Sequence, residues 1–350
     1  MKIIDAHMHF FRYAGFDQVA RAAGHENTVE NYLQACRENN VVLSVAMGNA
    51  PLGPSRFGGV VPRVPDLAGP CTLEPYNQPA EIAFCAGLES NGLTEENCEK
   101  TAREFEPVVW NPHCVGIKIY TGYNQVYAYD PRHFPLYELA EAYQVPVVFH
   151  TGDTAGGHGL LKYAHPLTID EVASQFPRVK FVIAHCGNPW ILDAMEVVAK
   201  NPNVYVDLSG LLEGKFDGAL FYERHRDYFR YIRMWLDYVN RYDKVLYGTD
   251  WPLINIQSYI DNMKLVVPEA HHEEFFYRNA LRVYTKLLAF CPRRETHDYR
   301  KSGPSGPAGR SAHRTGEKSP GTAGGTGRDG TAGGENAPGR GGHLRQCQRI

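Results

Sequence analysis

Short apolar runs alternate with amphipathic segments through the first 290 residues. Eight runs, each six to eight residues long, have the composition of buried β-strands: Lys2–His7, Val41–Met47, Glu81–Leu88, Val115–Tyr120, Val145–His150, Lys180–His185, Asn203–Leu208 and Lys244–Thr249. Segments with helical spacing lie between and after them: Thr28–Asn39, Thr94–Val108, Arg132–Tyr143, Thr168–Gln175, Pro189–Ala199, Glu223–Asn240 and Glu273–Phe290. Strands that alternate with helices predict a parallel sheet covered by helices.

The number and size of these units favour one closed architecture. Eight strand–helix units in about 290 residues match the usual size of a (β/α)8 barrel. The competing fold, an open doubly wound sheet, would carry a glycine-rich turn after the first strand, where this chain has the sequence HMHFF. We therefore predict an α/β protein with a (β/α)8 TIM barrel over residues 1–295.

Two long segments interrupt the pattern after the first two predicted strands. Phe10–Asn27 and Ala50–Pro79 lack a clear period, and the second is rich in proline and glycine. Because both follow strands, we expect both to lie over the mouth of the barrel, the second as a lid that shapes the substrate pocket. Arg56 and Arg63 in this segment are interpreted as solvated surface residues.

Composition changes at about Lys301. Residues 301–350 hold 14 of the 34 glycines and almost no large apolar side chains, so we predict a disordered tail. This tail has eight Lys or Arg against three Asp or Glu, whereas the preceding 300 residues have 28 basic and 36 acidic residues. An acidic body does not favour nucleic acid as a partner.

No apolar stretch approaches the roughly 20 residues that span a bilayer. The chain also begins without the basic and apolar leader of an exported protein. We therefore expect a cytoplasmic protein with no membrane partner.

Residues that commonly bind metals follow several of the predicted strands. His7 and His9 end the first strand region, His150 the fifth, His185 the sixth, and Asp250 follows the eighth. The strands of a parallel barrel all end at the same mouth, so these side chains should converge there. Imidazole nitrogen and carboxylate oxygen are suitable ligands for Zn²⁺ and similar ions. The sequence therefore predicts a metal site.

Five motifs, DAHMHF, VGIKIY, VVFHTGDT, FVIAHCGNPW and LYGTDWP, occur in this order over residues 1–290. With them the chain resembles the amidohydrolase superfamily. In particular it is similar to the amidohydrolase-related branch that includes aminocarboxymuconate semialdehyde decarboxylase and γ-resorcylate decarboxylase. The resemblance implies a metal-dependent enzyme on a TIM barrel that acts on a small-molecule substrate, and it also implies a homodimer.

The resemblance also implies roles for individual residues. His7, His9, His150 and Asp250 would bind one divalent metal ion, Zn²⁺ or alternatively Mn²⁺ or Fe²⁺. His185 and Asp250 would be the catalytic acid/base residues.

Lys118 admits two interpretations. Strand alternation directs Val115, Ile117 and Ile119 toward the helices and Lys118 into the barrel, where a buried ammonium needs a partner or a modification. In two-metal amidohydrolases a lysine on the fourth strand is carboxylated and bridges the ions. In the single-metal branch, which we favour, Lys118 would bind substrate or pair with an acid.

Several other polar residues lie near predicted strand ends. Asp207 is interpreted as a residue that orients a metal-binding histidine, since such partners are common. His158 and His165 are interpreted as ordinary loop histidines, and Cys186 as a packed thiol.

Three functions fit these residues. The first is a metal-dependent hydrolase that uses an activated water on an amide, lactone, ester or related bond. The second is a non-oxidative decarboxylase of an unsaturated or aromatic carboxylic acid on the same scaffold. The third, a barrel without catalysis that serves as a scaffold, is disfavoured by the complete set of polar residues.

Overall fold

Eight parallel strands form one sheet in which each strand pairs with the next along the chain. A computed structural model of the protein describes residues 1–12, 14–49, 60–67, 78–155 and 158–291. Within these residues the strands are β1 Ile3–Met8, β2 Val41–Met47, β3 Ile82–Leu88, β4 Cys114–Ile119, β5 Val147–Phe149, β6 Phe181–Ile183, β7 Val204–Asp207 and β8 Val245–Leu246.

The sheet closes into a ring between its first and last strands. The Ala6 amide donates to the Tyr247 carbonyl at 2.9 Å, and the Thr249 amide donates to the His7 carbonyl at 3.1 Å. These bonds join β1 to the end of β8. Among the described residues, helices lie between successive strands at every connection except that from β2 to β3. The predicted (β/α)8 barrel is confirmed.

Helices cover the outside of the ring. The described residues contain eleven α-helices: α1 Ala14–Ala22, α2 Val29–Glu38, α3 Cys98–Trp110, α4 Thr121–Asn124, α5 Phe134–Ala142, α6 Thr168–Gln175, α7 Ile191–Lys200, α8 Gly218–Arg224, α9 Arg226–Val239, α10 Ile256–Val266 and α11 Asn279–Val283. No helix among them has the length and apolar character needed to cross a membrane.

The prediction differs from the structure at several helical segments. α1 lies inside the segment that was interpreted as a loop, and it buries only Gly15 and Ala20. α10 was not predicted. The last helix, expected as one element, begins with a π-helical segment, Glu274–Arg278, continues as α11 and ends in a 3₁₀ turn.

Alternate residues of the strands form the apolar layer beneath the helices. Ile117 and Ile119 of β4, and Val147 and Phe149 of β5, belong to the large core cluster. Their sequence neighbours point to the other side of the sheet, into the barrel. Lys118, fully buried, is one of these interior residues, as the sequence analysis expected.

β1 departs from regular alternation. Its pairing with β2 shifts between Asp5 and Met8. The Asp5 carboxylate accepts hydrogen bonds from the amide and hydroxyl of Thr249, at 2.9 and 2.6 Å. This carboxylate therefore supports the closure of the barrel.

Part of the predicted lid lies at the C-terminal end of β3. The Arg63 amide donates to the Gly87 carbonyl and the Gly87 amide donates to the Arg63 carbonyl, both at 2.8 Å. A side chain at Gly87 would meet the Gly48 carbonyl oxygen at 1.9 Å, so this close approach requires glycine. Arg63 is only a third exposed and pairs with Glu89, so its interpretation as a solvated surface residue was wrong.

Other predicted features lie outside the described residues. These are Arg56, most of the remaining Ala50–Pro79 segment and the predicted tail, residues 301–350.

Thr249 offers a test of the barrel closure. We expect Thr249→Val to lower the free energy of unfolding by about 1–3 kcal/mol, because it leaves the buried Asp5 carboxylate without its closest donor. The measurement is urea unfolding. Thr249→Ser, which keeps the hydroxyl, is the matched control and should lose only about 1 kcal/mol for the missing methyl. Equal losses in the two variants would contradict the role of the hydroxyl.

Candidate metal centre

The five predicted ligand-type residues lie together at the C-terminal mouth of the barrel. His9 Nε2 is 3.0 Å from Asp250 Oδ1, and His7 Nε2 is 3.7 Å from the same oxygen. The ring centroids of His185 lie 4.8 Å from those of both His7 and His150. The convergence expected from strand ends is therefore present.

Two of these residues have an unusual backbone. Asp250 has φ of 65° and His185 has φ of 59°, both in the left-handed region that is costly for residues with a side chain. The Asp250 amide donates to the His7 carbonyl at 2.8 Å, and the His185 amide donates to Asp207 Oδ1 at 2.9 Å. These bonds hold both residues where the chain turns sharply after its strand.

Asp207, at the end of β7, orients His7. Its Oδ2 lies 2.9 Å from His7 Nδ1, and because a carboxylate only accepts, that nitrogen carries the proton. Burial would raise the pKa of Asp207, but the neighbouring His7 and hydrogen bonds from His7 and Ser209 hold it well below its usual value. This is the contact that the sequence analysis expected of Asp207.

The opposite nitrogen of His7 is free to bind a metal. Burial, followed by the charge of Lys118, lowers the pKa of His7 to about 3, so the ring is neutral at physiological pH. His7 Nε2 therefore presents a lone pair, and it has no hydrogen-bond partner among the described residues. Asp250 Oδ1 is likewise buried, with His9 Nε2 at 3.0 Å and His7 Nε2 at 3.7 Å from it.

Asp250 is ionised in this setting. Burial alone would raise its pKa, but the neighbouring His185 and His9 hold that pKa well below the ordinary value. A charged carboxylate oxygen thus faces the histidine rings.

His150 and His185 face one another through nitrogens that both carry lone pairs. His150 Nε2 lies 2.9 Å from the Asp153 carbonyl and therefore donates to it. His185 Nδ1 lies 3.1 Å from the Ser209 carbonyl and 2.9 Å from Ser209 Oγ, whose own proton is directed to Asp207 at 2.5 Å. His185 Nδ1 is then also a donor.

These tautomers leave His150 Nδ1 and His185 Nε2 as acceptors only 3.1 Å apart. Burial is the largest cause that lowers the pKa of both rings, which disfavours a proton between them. Two facing lone pairs repel unless a cation lies between or beside them, so this pair is also a suitable donor set for a metal ion.

The residues present thus fit a divalent ion. One group of potential ligand atoms, from His7, His9 and Asp250, lies within 4.8 Å, and a second comes from His7, His185 and Asp207. In the second group the Asp207 carboxylate is already engaged by His7, so the first group is the better candidate. His150 belongs to neither group and approaches the centre through His185. Nitrogen and oxygen donors suit Zn²⁺, Mn²⁺ and Fe²⁺ alike.

Lys118 lies inside the barrel next to this centre. Its Nζ has no hydrogen-bond partner among the described residues. Burial lowers its pKa to about 8, and the charges of Asp207 and Asp250 oppose that effect. The predicted position is therefore observed, and the expected pairing with an acid is not.

Gly210 is a residue of the centre that sequence reasoning missed. Its φ is +61°, and a Cβ there would lie 2.7 Å from both Asp250 Oδ2 and His185 Nδ1. Only a glycine leaves room for the two side chains at this point. The one signal in the sequence is a glycine two residues after a predicted strand.

The weaker candidates remain apart from the centre. His158 and His165 belong to neither group of ligand atoms, and His165 Nε2 lies 3.7 Å from Asp193 instead. Cys186 is buried with its sulfur 3.9 Å from that of Met195, in keeping with a packed thiol.

Asp207 offers a test of how His7 is oriented. We expect Asp207→Asn to weaken binding of Zn²⁺ about 10- to 100-fold, because the amide no longer specifies the His7 tautomer. Competition with a chromophoric chelator measures this affinity. Asp243→Asn, a similar change at an acid paired with Arg241 outside the centre, should leave it unchanged. Unaltered affinity in a folded Asp207→Asn protein would contradict the interpretation.

Gly210 offers a second test with a close control. Gly210→Ala should weaken Zn²⁺ binding at least about tenfold, since the new methyl displaces Asp250 and His185. Gly214 also has a positive φ, +87°, but open space around its Cβ position. Gly214→Ala therefore reports backbone strain alone. Similar affinities in the two variants would show that the contact with the ligands is unimportant.

Comparison with solved structures finds the same TIM-barrel fold in proteins of low sequence identity. An uncharacterized TIM-barrel protein from Bordetella bronchiseptica has a TM-score of 0.56 at 17% identity, covering 82% of this chain and 99% of that one. The 5-carboxyvanillate decarboxylase of Sphingomonas paucimobilis has a TM-score of 0.52 at 16% identity, covering 81% and 99%. A probable 2-pyrone-4,6-dicarboxylic acid hydrolase from Acinetobacter baumannii has a TM-score of 0.52 at 16% identity, covering 81% and 100%.

Comparison with curated proteins finds no match. The family model described as amidohydrolase, in contrast, matches residues 4–286, which include every residue of the candidate centre. The chain belongs to the amidohydrolase family.

Proposed function

We propose that this protein is a metal-dependent hydrolase that uses an activated water on an amide, lactone, ester or related bond of a small molecule. The observation that carries the proposal is the set of ligand-type atoms buried together at the barrel mouth, above all His7 Nε2, which has no hydrogen-bond partner among the described residues and lies 3.7 Å from Asp250 Oδ1. Membership of the amidohydrolase family supports it.

His7, His9, His150 and Asp250 would hold one divalent ion, for which we propose Zn²⁺, with Mn²⁺ and Fe²⁺ as alternatives. When bound, the ion would supply Lewis acidity and lower the pKa of water at the site. Asp207 keeps His7 in the tautomer that this requires. We also propose the cytoplasm as the compartment and a homodimer as the assembly.

Asp250 and His185 would move the protons. The Asp250 carboxylate, ionised and turned toward the histidines, accepts the proton of the attacking water and returns it to the leaving group. His185 is held at Nδ1 by Ser209, so its Nε2 is the atom that exchanges a proton with the substrate. Lys118 would bind the substrate.

A non-oxidative decarboxylation of an unsaturated or aromatic carboxylic acid is the second candidate. One similar structure is a decarboxylase of 5-carboxyvanillate, and the same donors would serve either reaction. His185 Nε2, which carries a lone pair, would then first take up a proton from water and pass it to the carbon from which CO₂ leaves.

Metal removal tests both candidates. We expect the purified protein to contain about one divalent ion per chain, a chelator to abolish turnover, and Zn²⁺ or Mn²⁺ to restore it. Elemental analysis gives the metal content. Assays on ester, lactone and amide panels report hydrolysis, and CO₂ release from aromatic and unsaturated acids reports decarboxylation. A protein without metal that neither ion activates on any panel would refute the proposal.

His185→Ala completes this test. We expect a loss of kcat of about 10²- to 10⁴-fold, because the variant lacks the proton exchanged at Nε2. His165→Ala, outside the centre, is the control and should retain activity. An unchanged kcat in His185→Ala would contradict the assigned role.

A further inference from the structure

Two hydrogen-bond donors on β4 and just beyond it are buried without an acceptor. Lys118 Nζ and the Tyr120 hydroxyl have no hydrogen-bond partner among the described residues. The two residues are separated by one position, and the ammonium lies 5.1 Å from the centre of the Tyr120 ring. They form one polar feature next to the metal centre, distinct from the proposed ligands.

The sheet around Lys118 contains no acceptor that could satisfy it. Its register partners are Gly87 on β3 and Val148 on β5, neither of which has a polar side chain. Among the described residues, no carboxylate forms an ion pair with it. Asp207 is directed to His7 and His185 instead. A buried ammonium in this setting is unfavourable until an acceptor arrives.

Tyr120 lies beside the metal centre, next to His150. Its ring stacks on that of His150, with centroids 6.1 Å apart at 24°. Burial raises the pKa of the Tyr120 hydroxyl, and the charges of Asp250 and Arg63 also act on it, in opposite directions. A molecule bound at the mouth would therefore meet the Tyr120 hydroxyl as well as the ion.

The chemistry of the two groups identifies the missing partner. A phenol and an ammonium both donate, so the partner must accept at least two hydrogen bonds, and it must carry negative charge to balance Lys118. A planar carboxylate has two oxygens that each accept such charge-assisted bonds. A neutral carbonyl would leave the ammonium uncompensated.

We propose that Lys118 and Tyr120 form an anion subsite that binds a carboxylate of the substrate, next to the metal centre. The natural substrate is then a small carboxylic acid, and the subsite orients it so that a different bond faces His185 and Asp250. Which bond reacts depends on the proposed function, whereas the binding of the carboxylate to Lys118 and Tyr120 is independent of it.

The test measures binding rather than turnover, with the full-length protein loaded with Zn²⁺. Isothermal titration compares benzoate with benzamide, its neutral counterpart. We expect Lys118→Met to raise the Kd of benzoate about 10- to 100-fold and Tyr120→Phe to raise it about 3- to 10-fold, with little change for benzamide. Lys162 and Tyr163 form a similar pair on the surface, 4.8 Å apart, so Lys162→Met and Tyr163→Phe are matched controls.

Three results would overturn the subsite. The first is an affinity for benzoate that is unchanged in both Lys118→Met and Tyr120→Phe, or that is lost only when the metal ion is chelated. Either outcome would mean that the anion binds to the metal. The second is a mass spectrum that shows one CO₂ added to Lys118, or a metal content that falls from two ions to one in Lys118→Met. Either outcome would mean that the lysine is carboxylated and bridges two metal ions. The third is a wild-type protein that binds benzoate no better than benzamide.

These outcomes are separate from those of the proposed function. An inactive substrate panel would leave the titration results unaffected. A normal metal content with no effect of Lys118→Met or Tyr120→Phe on benzoate would refute the subsite alone.

Discussion

The closure of the barrel between its first and last strands is the constraint on which the candidate centre depends. His7 and His9 stand near the start of the chain, and Asp250 follows the last strand. The hydrogen bonds between Thr249 and Asp5, residues 244 positions apart, and those from the Thr249 and Asp250 amides to the His7 carbonyl bring these parts together. Because Asp5 is buried, each donor it loses leaves a charge or dipole without compensation.

A second buried carboxylate organises the histidines. Asp207 accepts from His7, from the His185 amide and from Ser209. It thereby specifies one nitrogen of His7 as the acceptor, and Ser209 in turn specifies one nitrogen of His185. Burial keeps these rings neutral, and the left-handed backbone at His185 and Asp250 turns their side chains toward one another. Folding free energy is thus spent on a cluster of acceptors that binds a cation.

The side chains at β4 and just beyond it have the opposite hydrogen-bonding character. The histidines and Asp250 offer acceptors, whereas the Lys118 ammonium and the Tyr120 hydroxyl are donors that have no acceptor among the described residues. A site that pairs acceptors for a cation with donors for an anion suits a negatively charged small molecule held beside a metal. Both sets cost folding stability in the free protein, and ligands that satisfy them recover it.

Much of this protein could be predicted from its sequence alone. The bounds of β2 and α6 match the predicted bounds, because continuous apolar runs and a clear helical period admit few alternatives. The convergence of His7, His9, His185 and Asp250 followed from their positions at strand ends, since parallel strands share one mouth.

Other features depended on tertiary structure. The irregular pairing of β1, the presence of α1 in a segment interpreted as a loop, and the ion pair between Arg63 and Glu89 were not predicted. The choice of tautomers, the need for glycine at Gly210 and the lack of a hydrogen-bond partner for Lys118 among the described residues are likewise invisible in a linear pattern. Each depends on which atoms of distant residues meet, and only the folded chain decides that.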